Sequence, residues 1–274
     1  MTNVFLENDL EILIATKNRN NLDFLSLMFP FEPFSNFNIL IINQSNSTDL
    51  ISDFETVRVI NINEKGLSKS RNLAILNASK KICLFADDDL VYFESFGKMI
   101  INNFNKNTNA DIITFNHVGS DKKIIENSSI DSYLHTIKSS YRVSSFEIAF
   151  KLDVIRENSI NFDENFGLGS FFEIAEEFLF LKKSIELKLK AYFSPYVIVF
   201  HPLISSGKRE GEDNLIYARA ALFYTLKGNL AYIWLLKYVF FLGRNRYINW
   251  NEFMGKYKTG LSGIQKYKEL VKLK

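Results

Sequence analysis

Four prolines, twelve glycines and a single cysteine are too few for a collagen-like, low-complexity or disulfide-framed chain. The lone Cys83 lies in an apolar run, where it reads as a small buried hydrophobe in a reducing compartment. Long hydrophobic runs are missing too: none reaches the roughly 18 residues of a membrane-spanning helix. The N-terminal stretch MTNVFLENDLEILIATKNR lacks the basic flank and long apolar core of a signal peptide, so the protein is expected to stay in the cytoplasm. An excess of charge is also absent. A formal net charge of +2 gives no field that would draw a nucleic acid.

What the chain does have is 47% hydrophobic residues over 274 positions, enough for one substantial core. Its first half alternates β-branched runs with amphipathic stretches, the pattern of a mostly parallel α/β sheet flanked by crossover helices. Strands are predicted at 10–15, 37–43, 57–60, 81–86 and 111–116, and helices at 20–29, 68–78 and 93–105. Further strands at 146–150 and 191–200 and a helix at 173–187 follow, then helices at 213–227, 230–242 and 251–270. In such sheets ligands gather at the carboxyl ends of the strands. Thr16, Asn43-Gln44 and Asp87-Asp88-Asp89 all stand at these ends, so three strands aim polar groups at one crevice.

The acidic triplet follows the apolar strand Ile82-Cys83-Leu84-Phe85-Ala86, and clustered carboxylates are costly unless a cation or strong donors neutralise them. Mg²⁺ or Mn²⁺, which take a few carboxylates and complete their shell with water and phosphate, answer that need. A solvated acidic turn or a helix N-cap answers it as well, and the triplet alone does not choose.

Its surroundings do. The run NEKGLSKSRNLAILNASKKICLFADDDLVY resembles the central motif of family 2 glycosyltransferases, a Gly-x-Ser-x-x-Arg-Asn helix before a strand ending in Asp-x-Asp. IATKNR resembles that family's turn after the first strand, and FDENFGLGSFFEIAEEFLF its Phe-Asp-Glu…Phe-Gly…Glu-Asp stretch. The resemblance covers about residues 10–202 and implies a GT-A fold and metal-dependent, inverting transfer of a sugar from a nucleotide diphosphate-sugar, with UDP as the expected nucleotide. It assigns Asp87, Asp88, Arg71, Thr16, Ala15, Asn43 and Gln44 to the nucleotide-sugar. Asp89, Asp87 and His201 fall to the metal, Mn²⁺ or Mg²⁺. One of Glu177 and Glu176 is the base that takes the acceptor's proton; adjacent helical residues diverge by about 100°, so only one can face the site squarely. Lys208 and Arg209 are a candidate lid. The acceptor implied is a glycan or lipid-linked glycan of cell-surface polysaccharide synthesis.

The sequence departs from the family at Ile42-Asn43-Gln44-Ser45-Asn46, where two carboxylates that commonly contact the base are replaced by amides. A degenerate sugar-nucleotide binder and a nucleotidyltransferase are the rival readings; the second lacks its Gly-rich basic loop near the N-terminus. The expected layout is a GT-A domain over 1–212, with a nucleotide-sugar half to about 118 and an acceptor-side half from 119. A basic, aromatic-rich helical segment follows over 213–274. From Lys227 onward ten Lys/Arg face two acids, a local +8. The apolar helix there is either core or a peripheral contact with the inner face of the membrane, through 230–274.

Overall fold

A computed structural model of the chain describes residues 4–46, 49–119, 131–201 and 210–272. They fall into two compact units, Met1–Asp163 with Glu176–Ile204, and Glu164–Ala175 with Ser205–Lys274. Lys208 and Arg209 lie outside the described residues.

The first unit is an α/β sheet. Its strands are β1 (Leu10–Lys17), β2 (Asn38–Gln44), β3 (Val57–Ile62), β4 (Ile82–Asp87), β5 (Val91–Tyr92), β6 (Ile112–Val118), β7 (Tyr133–Leu134), β8 (Ile148–Lys151) and β9 (Ala191–Phe200). Helices α1 (Asp23–Met28), α2 (Leu67–Asn77), α3 (Phe96–Lys106), α4 (Leu152–Glu157) and α5 (Glu176–Glu186) connect them. The order across the sheet is β3-β2-β1-β4-β8-β6-β9-β5, with β7 on β9. From β3 to β4 every pairing is parallel. Beyond β4 the sheet is mixed: β8 runs antiparallel to both β4 and β6, whereas β9 is parallel to β6.

This topology decides where a ligand can sit. The chain leaves β1 for β2 on one side and returns to β4 on the other, which opens a crevice at the carboxyl ends of β1 and β4. The carboxyl ends of β6 and β9 lie on the same edge, because β8 reverses direction between β4 and β6.

Period-two alternation splits the core between the two faces. Ile12, Ile14, Ile39, Ile41 and Leu84 pack with Phe24 and Phe104 on one face. On the other, Leu13, Leu40, Ile42 and Phe85 pack with Ala74, Ile75 and Phe180. Both faces being covered explains why these strands read as continuous apolar runs. Cys83 is wholly buried in the second layer, and burial pushes its thiol pKa well above the ordinary value. The predicted strands and helices of this unit are all present; β5, β7 and α4 are additional.

The second unit is helical, with α6 (Asp213–Lys227), α7 (Leu230–Arg244) and α8 (Phe253–Lys272) around Ile216, Ala220, Leu235, Val239 and Ile264. α6 and α8 approach so closely that a Cβ on Gly263 would run into the carbonyl of Tyr217. Arg219 joins the helices through charge, donating to Glu210 and to the Tyr238 hydroxyl at 2.6 Å. α7 is apolar on two sides. One stripe of it is core, and another is exposed. No helix among the described residues is long and apolar enough to cross a membrane.

Candidate active site

α2 begins at Gly66, whose φ of 124° belongs to a conformation that side-chain-bearing residues rarely adopt. That turn aims the helix at the end of β4. One turn in, Arg71 is 2% exposed and makes three polar contacts. Nη2 donates to Asp87 Oδ1 at 2.9 Å and to Ser145 Oγ at 2.6 Å, and Nη1 donates to Glu176 Oε1 at 3.0 Å. The guanidinium also lies over the Phe162 ring, 5.5 Å from its centroid. Burial opposes the arginine's charge, but Asp87 and Glu176 outweigh it and hold its pKa above the ordinary value. Its neighbour Asn72 pairs reciprocally with the backbone of Phe162, accepting at 2.8 Å and donating at 3.0 Å. The Arg-Asn pair therefore grips both acidic stretches of the sequence, the strand end by Arg71 and the later Phe-Asp-Glu segment by Asn72.

The triplet divides three ways. Asp87, opposite Ala15 in the β1–β4 ladder, is Arg71's partner; burial raises its pKa in spite of that pairing. Asp88 turns to β1, accepting from Thr16 Oγ1 at 2.5 Å and from Arg19 Nε at 2.8 Å. Asp89 turns to β9. The antiparallel pairing of Val91 with Phe200 brings His201 back beside the triplet, with Nε2 3.6 Å from Asp89 Oδ2. The nearby His201 ring leads in lowering the Asp89 pKa against the opposing effect of burial. The other oxygen, Oδ1, is buried with no hydrogen-bond partner among the described residues.

The amides at the end of β2 are committed within the protein. Asn43 is fully buried, accepts from the backbone N–H of Arg19 at 3.2 Å, and donates to the Arg19 carbonyl at 3.0 Å and to Asn61 at 2.9 Å. It fixes the loop after β1. Gln44 donates to the Gly66 carbonyl at 2.8 Å and to Ser70 Oγ at 2.6 Å, which ties β2 to the start of α2.

Glu176 and Glu177 open α5, where unpaired backbone N–H groups and the helix dipole favour carboxylates. Ala175, with φ 64°, makes the turn that points them inward. Glu176 is held by Arg71. Glu177 is pushed up to about 8, first by burial and then by the charge of Glu176. The Glu176 carboxyl, held by Arg71, thus adds to the burial that keeps the proton on Glu177.

Sequence reasoning did not single out four residues that build the site. Arg19 stood in the IATKNR turn and is the second donor to Asp88. Ser145 is the third partner of Arg71. Phe146 stacks on the His201 ring with centroids 5.1 Å apart, and His117 meets the Phe146 ring edge-on while its Nδ1 lies 2.8 Å from Glu147. A lone serine, phenylalanine or histidine has no spacing signal, and only the fold brings them together.

A hard divalent cation fits what Asp89 and His201 offer: one carboxylate with an unpartnered buried oxygen and one imidazole nitrogen, with the remaining positions left to phosphate and water. No group of three His, Cys, Asp or Glu able to hold a metal occurs among the described residues, so a cation here depends on the substrate for the rest of its shell.

The family model described as "Glycosyl transferase family 2" matches residues 12–170. The chain belongs to that family. Its fold is of the GT-A type. No curated protein matches it by sequence. Among solved structures, TarS from S. aureus is similar at 15% identity and a TM-score of 0.55, over 84% of this chain and 42% of the TarS chain. The chain thus spans less than half the length of that protein. A shorter form, TarS 1-349, gives 13% identity and 0.59 over 94% of this chain and 80% of its own. TarS 1-349 in complex with UDP-GlcNAc gives 12% identity and 0.57 over 94% and 81%. At such identities the shared feature is the fold.

Proposed function

We propose that this family 2 glycosyltransferase moves a sugar from a UDP-sugar to a hydroxyl of a glycan or lipid-linked glycan of cell-surface polysaccharide synthesis, inverting the anomeric carbon with the help of Mn²⁺ or Mg²⁺. The observation that carries the reading is Arg71, one buried cation that holds the donor-side Asp87 and the carboxylate Glu176 at once. The UDP assignment is supported by the fold shared with TarS, which has been crystallised with UDP-GlcNAc and with UDP.

In this reading Asp87, Arg71 and Thr16 border the nucleotide diphosphate, with Ala15 leaving room beside Asp87. Asp88 steadies the wall on which Thr16 stands, and Asn43 and Gln44 shape the two loops from behind. Asp89 and His201 would hold the cation, and an imidazole ligand favours Mn²⁺. When bound, the cation supplies charge neutralisation to the departing diphosphate. Glu177 takes the proton of the acceptor hydroxyl as that oxygen attacks, and the Glu176 carboxyl that Arg71 holds beside it adds to the proton affinity of Glu177.

The test is a thermal-shift panel of nucleotides and UDP-sugars, with and without Mn²⁺, followed by transfer assays on Asp89→Ala. A metal-dependent shift with a uridine diphosphate, together with loss of transfer in a folded D89A protein, is the expected result. Wild-type turnover in D89A would remove the metal role. A nucleotide shift with neither transfer nor donor hydrolysis would mean a sugar-nucleotide binder.

A further inference from the structure

α7 carries two apolar stripes. Ala231, Leu235, Val239 and Leu242 fill the core of the helical unit. Leu230, Ile233, Leu236, Phe240 and Phe241 are between 48% and 61% exposed, facing away from it. At 100° per residue these five side chains occupy an arc of about 140°, and the exposed cations Lys237 and Arg244 fall inside the same arc. Past the end of the helix, Trp250 packs against Gly243 and meets the Phe240 ring at 5.5 Å, yet is itself 57% exposed. The stripe therefore continues into an aromatic cluster.

Charge identifies what covers this face. From 214 to 251 there is no Asp or Glu, and four of the five Lys/Arg in that span, Lys227, Lys237, Arg244 and Arg246, are exposed. A second copy of the chain docked on the same face would set these cations against one another without an acid between them. Protein interfaces also exclude lysine from their centres, whereas Lys237 sits within the stripe. A bilayer surface suits every part of it. Apolar side chains enter the acyl boundary, tryptophan and tyrosine sit at the headgroup level, and long cations reach up to anionic phosphates.

We infer that the outward face of α7, with Trp250, is a docking surface for an anionic lipid bilayer, on which the helix lies in the plane of the interface without crossing it. This goes beyond the sugar-transfer reading and does not depend on it.

The experiment is flotation of the full chain with vesicles of phosphatidylglycerol mixed with phosphatidylcholine, and with phosphatidylcholine alone, at low and high salt. Wild-type protein floats with the anionic vesicles at low salt, and its binding falls as salt is added. Lys237→Gln with Arg244→Gln weakens binding roughly 25-fold, about fivefold per cation. Ile233→Ser with Leu236→Ser abolishes it, while the circular dichroism and melting of both variants match wild type because the altered side chains are about half exposed on the outward face. The inference is overturned by no flotation at low salt, or by equal binding of wild type and the serine variant. A concentration-dependent dimer by sedimentation that the serine variant dissolves, without vesicle binding, overturns it in favour of a second copy.

Discussion

The two units depart from ordinary partition in opposite senses. The sheet unit buries charge: Arg71, Glu176 and Glu147 are all under a tenth exposed, and each sits on the edge where strands end. The helical unit exposes apolar surface, from Leu230 to Trp250, on one face of one helix and the turn after it. Buried charge is expensive, and a contiguous exposed apolar stripe gains the fold nothing. Both departures are local and both are organised, which is where function is expected to override the rules of folding.

The comparison breaks most visibly at Arg71. Arg71→Ala leaves Asp87 and Glu176 buried without their cation, and should cost about 3–5 kcal/mol in denaturant unfolding as well as all transfer activity. A cost under about 1 kcal/mol would mean that solvent reaches the pair and screens its charges. Asp89→Ala separates chemistry from folding. It removes an oxygen that has no partner among the described residues together with the weak attraction between Oδ2 and His201, so stability should fall by less than about 1 kcal/mol while the rate falls on the order of 10³-fold or more. A matching loss of stability would show Asp89 to be a strut.

Glu177→Gln comes next, with an expected loss of roughly 10²–10⁴-fold in kcat/KM. Because the base must be ionised, wild-type kcat/KM should rise with pH toward a midpoint near 8. Stability runs the other way. The folded pKa lies above that of the unfolded chain, so the folded state binds the extra proton between about pH 4.5 and 8, and stability is lost as pH climbs through that window. The glutamine variant, which never ionises, should therefore be more stable than wild type at pH 9, by at least about 1 kcal/mol, and no different at pH 4. A pH-independent difference would assign the effect to packing.

The strands and the edge on which they converge were legible because apolar runs, their two-residue alternation and the polar residues that stop them are local properties. The division of labour within Asp87-Asp88-Asp89 was not. Asp88 is claimed by Thr16 and Arg19, about seventy positions away, and Asp89 meets His201 only because the two-residue strand β5 pairs with the end of β9. Two residues carry no periodicity to read. The link from Arg71 to Glu176 spans 105 positions, and no spacing rule reaches that far. Asn43 and Gln44 stood out as departures from the family at a strand end, yet their amides tie loops together, a use that composition cannot distinguish from contact with a base.

Glu11 sharpens the comparison with the smallest effect. It is 1% exposed in β1, as buried as any charge among the described residues, but at the opposite edge of the sheet from Asp87. One oxygen accepts from Arg58 Nη2 at 2.6 Å, and the other from the backbone N–H groups of Ser79 at 2.5 Å and Lys80 at 3.2 Å. It thereby closes the turn between α2 and β4. Glu11→Gln keeps the shape but sets an NH₂ against one of these donors, whichever way the amide is turned. The cost should be about 1–3 kcal/mol in unfolding, with kcat and KM unchanged in what remains folded. If transfer fell along with stability, burial of charge in this unit would serve the fold throughout, and the carboxyl edge would lose its special standing. If only stability fell, the buried carboxylate at the amino edge of the sheet would serve the fold and those gathered at the carboxyl edge the chemistry, so that position in the fold, and not burial by itself, sets a buried charge to work in catalysis.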